Sequence, residues 1–126
     1  MSEEIESIGD FDNMKLKEKL LRGIYGYGFE TPSTIQQKAI IPLINGKDII
    51  AQAQSGSGKT GAFCIGALEK IDTNINNVQI MILSHTKELA RQTYNVFNSL
   101  GDFMDIKTSL LIGGINIEES KKLLKK

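Results

Sequence analysis

The residues best placed to do chemistry are Ser55-Gly56-Ser57-Gly58-Lys59-Thr60. Gly56 and Gly58 can adopt backbone angles that side-chain-bearing residues resist, so successive N–H groups can converge on an anion. Lys59 adds a point charge for the β- and γ-phosphates of a nucleotide, and the Thr60 hydroxyl is a candidate ligand for Mg²⁺. A phosphate-binding loop needs a strand to deliver the backbone and a helix N-terminus aimed at the anion. Both are expected here, because Ile49-Ile50-Ala51 precedes the loop and a small-residue, apolar helical pattern follows it. Where the generic loop begins with glycine this chain has Ala53, so the pattern is met by its last five residues. Such a loop fixes a ligand class and a fold class, and leaves open what the bound nucleotide is used for.

The elements that must position the loop follow from periodicity and punctuation. A helix is expected from Asp12 or Asn13 to about Tyr25, its buried face formed by Leu16, Leu20, Leu21 and Ile24, and ended by Gly26 and Gly28. Phe11 stands before it as a hydrophobic staple. Thr31 as cap and Pro32 at the first helical position predict a second helix, bent or broken near its end by Pro42. Asn45-Gly46 then turns the chain into a strand at Asp48–Gln52. A helix over 59–71 carries Gly61, Ala62, Gly66 and Ala67, small enough for close approach to a sheet. After a polar loop from Asp72 to Asn77, the apolar run Val78–Ser84 has the length of a strand covered on both faces. Thr86 caps a helix striped by Leu89, Thr93, Val96, Phe97 and Leu100; Ile106–Ile112 is a third strand; Gly113-Gly114 ends it, and Asn116 opens a last helix. Strands alternating with helices predict an α/β fold with a parallel sheet and right-handed crossovers.

Composition sets outer limits. The 126 residues suffice for at most one domain, and 15 basic residues balance 15 acidic ones, so bulk charge points to no nucleic-acid or membrane partner. Residues 1–10 read as a mobile acidic N-terminus, and 11–126 as the folded portion. The single cysteine, Cys64, excludes an intrachain disulfide, suits a reducing cytoplasmic setting, and lies where a small buried hydrophobe is expected rather than a nucleophile. No apolar run has the length of a membrane span and no signal-peptide pattern opens the chain. Asn45-Gly46-Lys47-Asp48 has the wrong spacing for guanine reading, and the lone His85 is assigned no role.

Further features line up with the loop. Gly28-Phe29-Glu30-Thr31-Pro32-Ser33-Thr34-Ile35-Gln36-Gln37 lies about twenty residues upstream, and Phe11 seventeen residues before Gly28. Downstream stand Thr86-Lys87-Glu88-Leu89-Ala90-Arg91-Gln92 and Ile112-Gly113-Gly114. With Ala-Gln-Ser-Gly-Ser-Gly-Lys-Thr, these resemble the first half of the first RecA-like domain of a DEAD-box RNA helicase, nearest its translation-initiation branch. The likeness runs from Phe11 to Gly114, and Ala53 is the usual residue in that family.

The resemblance implies ATP and Mg²⁺ as ligands, held by Ser55, Gly56, Ser57, Gly58, Lys59 and Thr60, with Lys59 and Thr60 in the catalytic apparatus. It places Gln36 on the adenine edge and Phe11 on the adenine ring. The chemistry agrees: an amide offers one donor and one acceptor, matching adenine N6/N7, which discriminates by about 1–3 kcal/mol. Aromatic stacking on a base contributes about 1–3 kcal/mol. Thr86, Lys87, Gly113 and Gly114 match positions that touch an RNA backbone, with scaffold or translation-factor proteins as further partners. The family usually has proline and arginine where this chain has His85 and Lys87, and lysine lacks arginine's bidentate fork. The sequence holds no Asp-Glu-Ala-Asp tetrad and no second RecA-like domain. ATP hydrolysis and unwinding are therefore expected of a longer protein, of which this stretch alone is inactive and only marginally stable. The alternatives are a P-loop ATPase with another load, such as DNA unwinding, and a short, non-catalytic product that binds adenine nucleotide weakly or is inert.

Overall fold

The computed structural model describes residues 9–54 and 56–113. Ser55, Gly114, the acidic stretch 1–8 and the helix expected from Asn116 lie outside the described residues. Four helices carry the architecture: α1 (Glu18–Tyr27), α2 (Thr34–Ile44), α3 (Lys59–Lys70) and α4 (Lys87–Leu100). Helix α3 is central and packs on the other three; α1 also packs on α4.

The first helix differs from the expectation at its start. Asp12–Met14 forms a separate 3-10 turn, opened by the Asp10 carboxylate, which accepts from the Asn13 N–H at 2.7 Å. Lys15 then takes a left-handed conformation (φ 57°), a break that α-helix cannot pass through, so α1 begins only at Glu18. Its start is held from a distance, since the Lys17 N–H donates to the Glu69 carboxylate at 2.9 Å. Its end is a Schellman-type cap: Gly28 sits at φ 107° and the Phe29 N–H donates back to the Ile24 carbonyl.

The second helix starts later than Thr31-Pro32 suggested. Ser33 is the cap, its hydroxyl accepting from the Gln36 N–H while the Gln36 side-chain carbonyl accepts from the Ser33 N–H. This reciprocal box satisfies two donors at once and outcompetes the one-sided Thr31 cap. Pro42 lies inside α2 without ending it at that residue, because the helix closes two residues later at Ile44.

The core is the seam between these helices. Phe11, Leu20, Ile24, Ile40, Cys64, Ile65, Leu68 and Leu100 are fully buried within it. Burying aliphatic side chains of this size contributes about 1.5–3 kcal/mol each. Small residues set how closely the helices meet, though the partner is helical rather than a sheet. A Cβ on Gly66 would come within 2.9 Å of Leu43 on α2, and one on Gly23 would overlap the Leu100 carbonyl where α1 crosses α4.

The expected strands Asp48–Gln52, Val78–Ser84 and Ile106–Ile112 are not strands among the described residues. No backbone hydrogen bond described joins any two of them, and a strand exists only as part of a ladder. Several of their apolar side chains stand in solvent, Ile50 at 95% exposure and Leu83 at 86%, whereas Ile106 packs against the core. Only the helical layer of the α/β reading is thus assembled among these residues.

Candidate functional site

The loop and the second helix converge. Gly56 (φ 82°) and Gly58 (φ 92°) both occupy the left-handed region that favours glycine, and the Ser57 N–H donates to the Gln54 carbonyl across the turn. Gly58 is the N-cap of α3 and supplies no side-chain cap. The N–H groups of the first turn are therefore left to an external acceptor at the positive end of the helix dipole. Lys59 and Thr60 are the first two residues of that helix, both half-buried. Beside them the Ser57 Oγ is buried without a hydrogen-bond partner among the described residues. A buried hydroxyl in that condition costs about 1–3 kcal/mol, which a phosphate oxygen would relieve. The donor set thus fits an anionic phosphate.

Gln36 ties this loop to α2. Its Nε2 donates to the Gly58 carbonyl at 3.3 Å while its Oε1 accepts from the Ser33 N–H at 3.0 Å. An amide has two N–H donors and two acceptor lone pairs, so one of each remains. That spare pair is what an adenine edge requires. The packing leaves no slack: a Cβ on Gly58 would lie 2.7 Å from Gln36 Nε2, and one on Gly61 2.9 Å from it. Gln36 is only 2% exposed, so a purine meets the spare pair once the residues over it part.

Phe11 is fully buried. Its ring stacks on Phe29 (centroids 6.5 Å apart, planes at 19°) and meets Tyr25 edge-on at 6.2 Å. The Tyr25 hydroxyl donates to Asp12 at 3.0 Å. Desolvation, with that hydrogen bond and the negative charges of Asp12 and Asp10, raises the Tyr25 pKa above its ordinary value. Phe29 reaches onward to α3, its ring lying about where a Gly61 Cβ would be, at 3.0 Å. Phe29 and Gln36 therefore both border the start of α3, and Phe11 packs behind Phe29. Sequence reasoning left Phe29 and Ser33 without roles, although Ser33-Thr34-Ile35-Gln36 spells a capping box.

Thr86, Lys87 and Gly113 form a second group. The Thr86 hydroxyl caps α4 by accepting from the Leu89 N–H at 3.0 Å. A Cβ on Gly113 would come within 3.2 Å of the Lys87 Cε and 3.5 Å of its Nζ. A helix N-terminus, an exposed ammonium and a bare glycine backbone thus lie together, a combination that receives phosphate without reading bases. Among the described residues no group of three or more His, Cys, Asp or Glu could hold a metal, and no helix is long and apolar enough to cross a membrane. Burial pushes the Cys64 thiol up to about 12, in keeping with its reading as a core residue.

Comparison with known proteins places this geometry. The sequence profile of the family described as DEAD/DEAH box helicase matches residues 33–126. The chain is 55% identical over 119 residues to the ATP-dependent RNA helicase eIF4A of Neosartorya fischeri, covering 94% of this chain and 30% of that protein. It is 53% identical to Eukaryotic initiation factor 4A of Drosophila melanogaster over the same span, again 30% of that protein. Among solved structures, a DEAD box protein from Methanococcus jannaschii superposes with a TM-score of 0.81 at 34% identity, covering 94% of this chain and 32% of the other. Dbp5 of S. cerevisiae, bound to RNA and ADP BeF3, superposes at 0.73 with 36% identity over 86% of this chain and 29% of its own. The chain therefore spans about a third of the length of the proteins it matches. The profile match, the sequence identity and the superposition agree with the loop and its Gln36 latch: this chain belongs to the DEAD/DEAH box helicase family.

Proposed function

We propose that the chain is the ATP-binding portion of an ATP-dependent RNA helicase that remodels or unwinds RNA, acting in the cytoplasm and in translation initiation. The observation that carries this reading is the Gln36 side chain, hydrogen-bonded to Gly58 of the phosphate loop while keeping one donor and one acceptor for adenine. In this reading Ser55, Gly56, Ser57, Gly58, Lys59 and Thr60 hold the phosphates, and Thr60 is the protein's ligand to Mg²⁺. Bound magnesium would neutralise charge on the transferring phosphate. The chain's own residues bind and orient: Gly56 and Gly58 turn backbone donors inward, Lys59 adds charge, and Gln36 and Phe11 select the base.

RNA is the second ligand, received on its backbone by Thr86, Lys87, Gly113 and Gly114. The named eIF4A relatives at 53–55% identity support that substrate and the role in translation. Scaffold or translation-factor proteins would be further partners. The segments at Asp48–Gln52, Val78–Ser84 and Ile106–Ile112 are assigned to a parallel sheet. Hydrolysis also needs a second acidic ligand for magnesium and a group to position water, and no Asp-Glu-Ala-Asp tetrad stands in these residues. Residues 11–126 by themselves therefore bind nucleotide without turning it over.

Titration of a fluorescent ADP analogue against the wild-type chain, Lys59→Ala and Gln36→Ala tests the site. Weaker binding by both variants is expected, and equal affinity across all three would remove it.

A further inference from the structure

The C-terminal ends of α1 and α4 meet at a groove of about 470 Å³ lined by Gly23, Gly26, Tyr27, Asn98, Ser99, Asp102 and Phe103. It shares no residue with the nucleotide site. Gly23 and Gly26 add no side chain to its lining, the Leu100 carbonyl standing where a Gly23 Cβ would be, and two rings border it: Tyr27 is 43% exposed and Phe103 48%. Tyr27 is braced from behind, its ring meeting Phe29 edge-on at 4.9 Å. Asn98 is committed to the fold, donating to the Tyr94 carbonyl and accepting from the Thr108 hydroxyl.

Each electrostatic feature of the groove has one sign. Asp102 is the only charged residue in the lining and has no ion-pair or hydrogen-bond partner among the described residues. Both helices end there with the negative pole of their dipoles, and neither has a basic residue in its last turn to offset it. Aromatic faces likewise attract cations and repel anions. We propose that this groove is a docking site for an arginine side chain presented by a basic peptide segment of a protein partner. The flat guanidinium would lie against Tyr27 and Phe103 and pair with the Asp102 carboxylate. Arginine is preferred to lysine because it stacks on rings and offers a carboxylate two parallel donors.

The test uses the 126-residue chain and a fluorescein-labelled Gly-Ser peptide carrying one central arginine. Matched peptides with lysine or neutral citrulline at that position serve as comparisons, all read by fluorescence anisotropy. The arginine peptide is expected to bind, the citrulline peptide to bind at least about tenfold more weakly, and lysine to fall between them. Asp102→Asn, an exposed and nearly isosteric change, and Phe103→Ala should each weaken the arginine peptide about tenfold. Their circular dichroism and ADP affinity should match the wild type, which separates loss of the groove from loss of the fold. Equal binding of the arginine and citrulline peptides, or wild-type arginine affinity in Asp102→Asn, would overturn the proposal.

Discussion

Gly23→Ala should unfold the chain at markedly lower denaturant concentration, although the same exchange in an ordinary helix interior is stabilising by about 1 kcal/mol. Gly23 lies within α1, and its added Cβ would overlap the Leu100 carbonyl oxygen and stand 2.7 Å from the carbonyl carbon. An ordinary carbon contact is about 3.5 Å, so the shortfall is about 0.8 Å at the carbon and larger at the oxygen. The obstacle is backbone, and no rotamer change moves it. The helices must separate, loosening Leu20, Ile24 and Leu100, all fully buried. Overpacking of this kind costs about 1–3 kcal/mol, and the backbone clash puts Gly23→Ala at the upper end. Gly26→Ala is the control, because its Cβ would sit at an ordinary 3.6 Å from the Phe103 ring and should leave stability unchanged or slightly raised. The assay is urea unfolding followed by far-UV circular dichroism, with the midpoints of the three chains compared at equal slope. A Gly23→Ala midpoint at or above that of Gly26→Ala would refute the α1–α4 crossing described here.

Ser33→Ala removes the cap of α2 and should lower stability by about 0.5–2 kcal/mol in the same urea experiment. Because the Ser33 hydroxyl accepts from the Gln36 N–H, its loss loosens the backbone that carries Gln36, and affinity for ADP should fall as well, by isothermal titration. Cys64 should resist thiol reagents in the folded chain and react fully once denatured, since burial raises its pKa from an ordinary 9.0 to about 12. Cys64 and Tyr25 both keep their protons to higher pH when folded. The contribution of Cys64 to stability is therefore present below about pH 9 and lost as pH climbs toward 12, and Cys64→Ala should make that decline shallower. On the RNA side, Lys87→Ala should reduce the slope of log affinity against log salt by about 0.7, one phosphate contact on a single strand. An unchanged slope would remove Lys87 from the interface.

Much of the site was legible because it depends on local rules. Glycine at 56 and 58 before Lys59 anticipated the two positive-φ residues and the uncapped start of α3. Thr86 as a cap and the stripe through Thr93, Phe97 and Leu100 were readable from polarity and period alone. The misreadings arose where two local signals competed or where a distant residue decided. At Thr31–Ser33 a proline in a favoured position masked the stronger reciprocal box between Ser33 and Gln36. At Asp12–Lys17 a left-handed Lys15 and the remote Glu69 carboxylate moved the start of α1 by several residues. The strands failed for a different reason. Val78–Ser84 has the composition of a covered strand, but pairing needs neighbours, and none is joined to it by a backbone hydrogen bond among the described residues. Gly23 was invisible in sequence because its reason is the Leu100 carbonyl, seventy-seven residues away.

The central claim is that Gln36 and Lys59 serve the two ends of one adenine nucleotide, and base selectivity tests it most directly. Affinities for ADP and GDP should be measured by calorimetry on the wild type, Gln36→Ala and Lys59→Ala. Loosening of the loop through the lost Gly58 contact weakens both nucleotides alike, so the ratio isolates base reading. Lys59→Ala should weaken both and keep the preference for ADP, whereas Gln36→Ala should bring the two affinities together. A Gln36→Ala chain that still prefers ADP by the wild-type ratio would contradict the account.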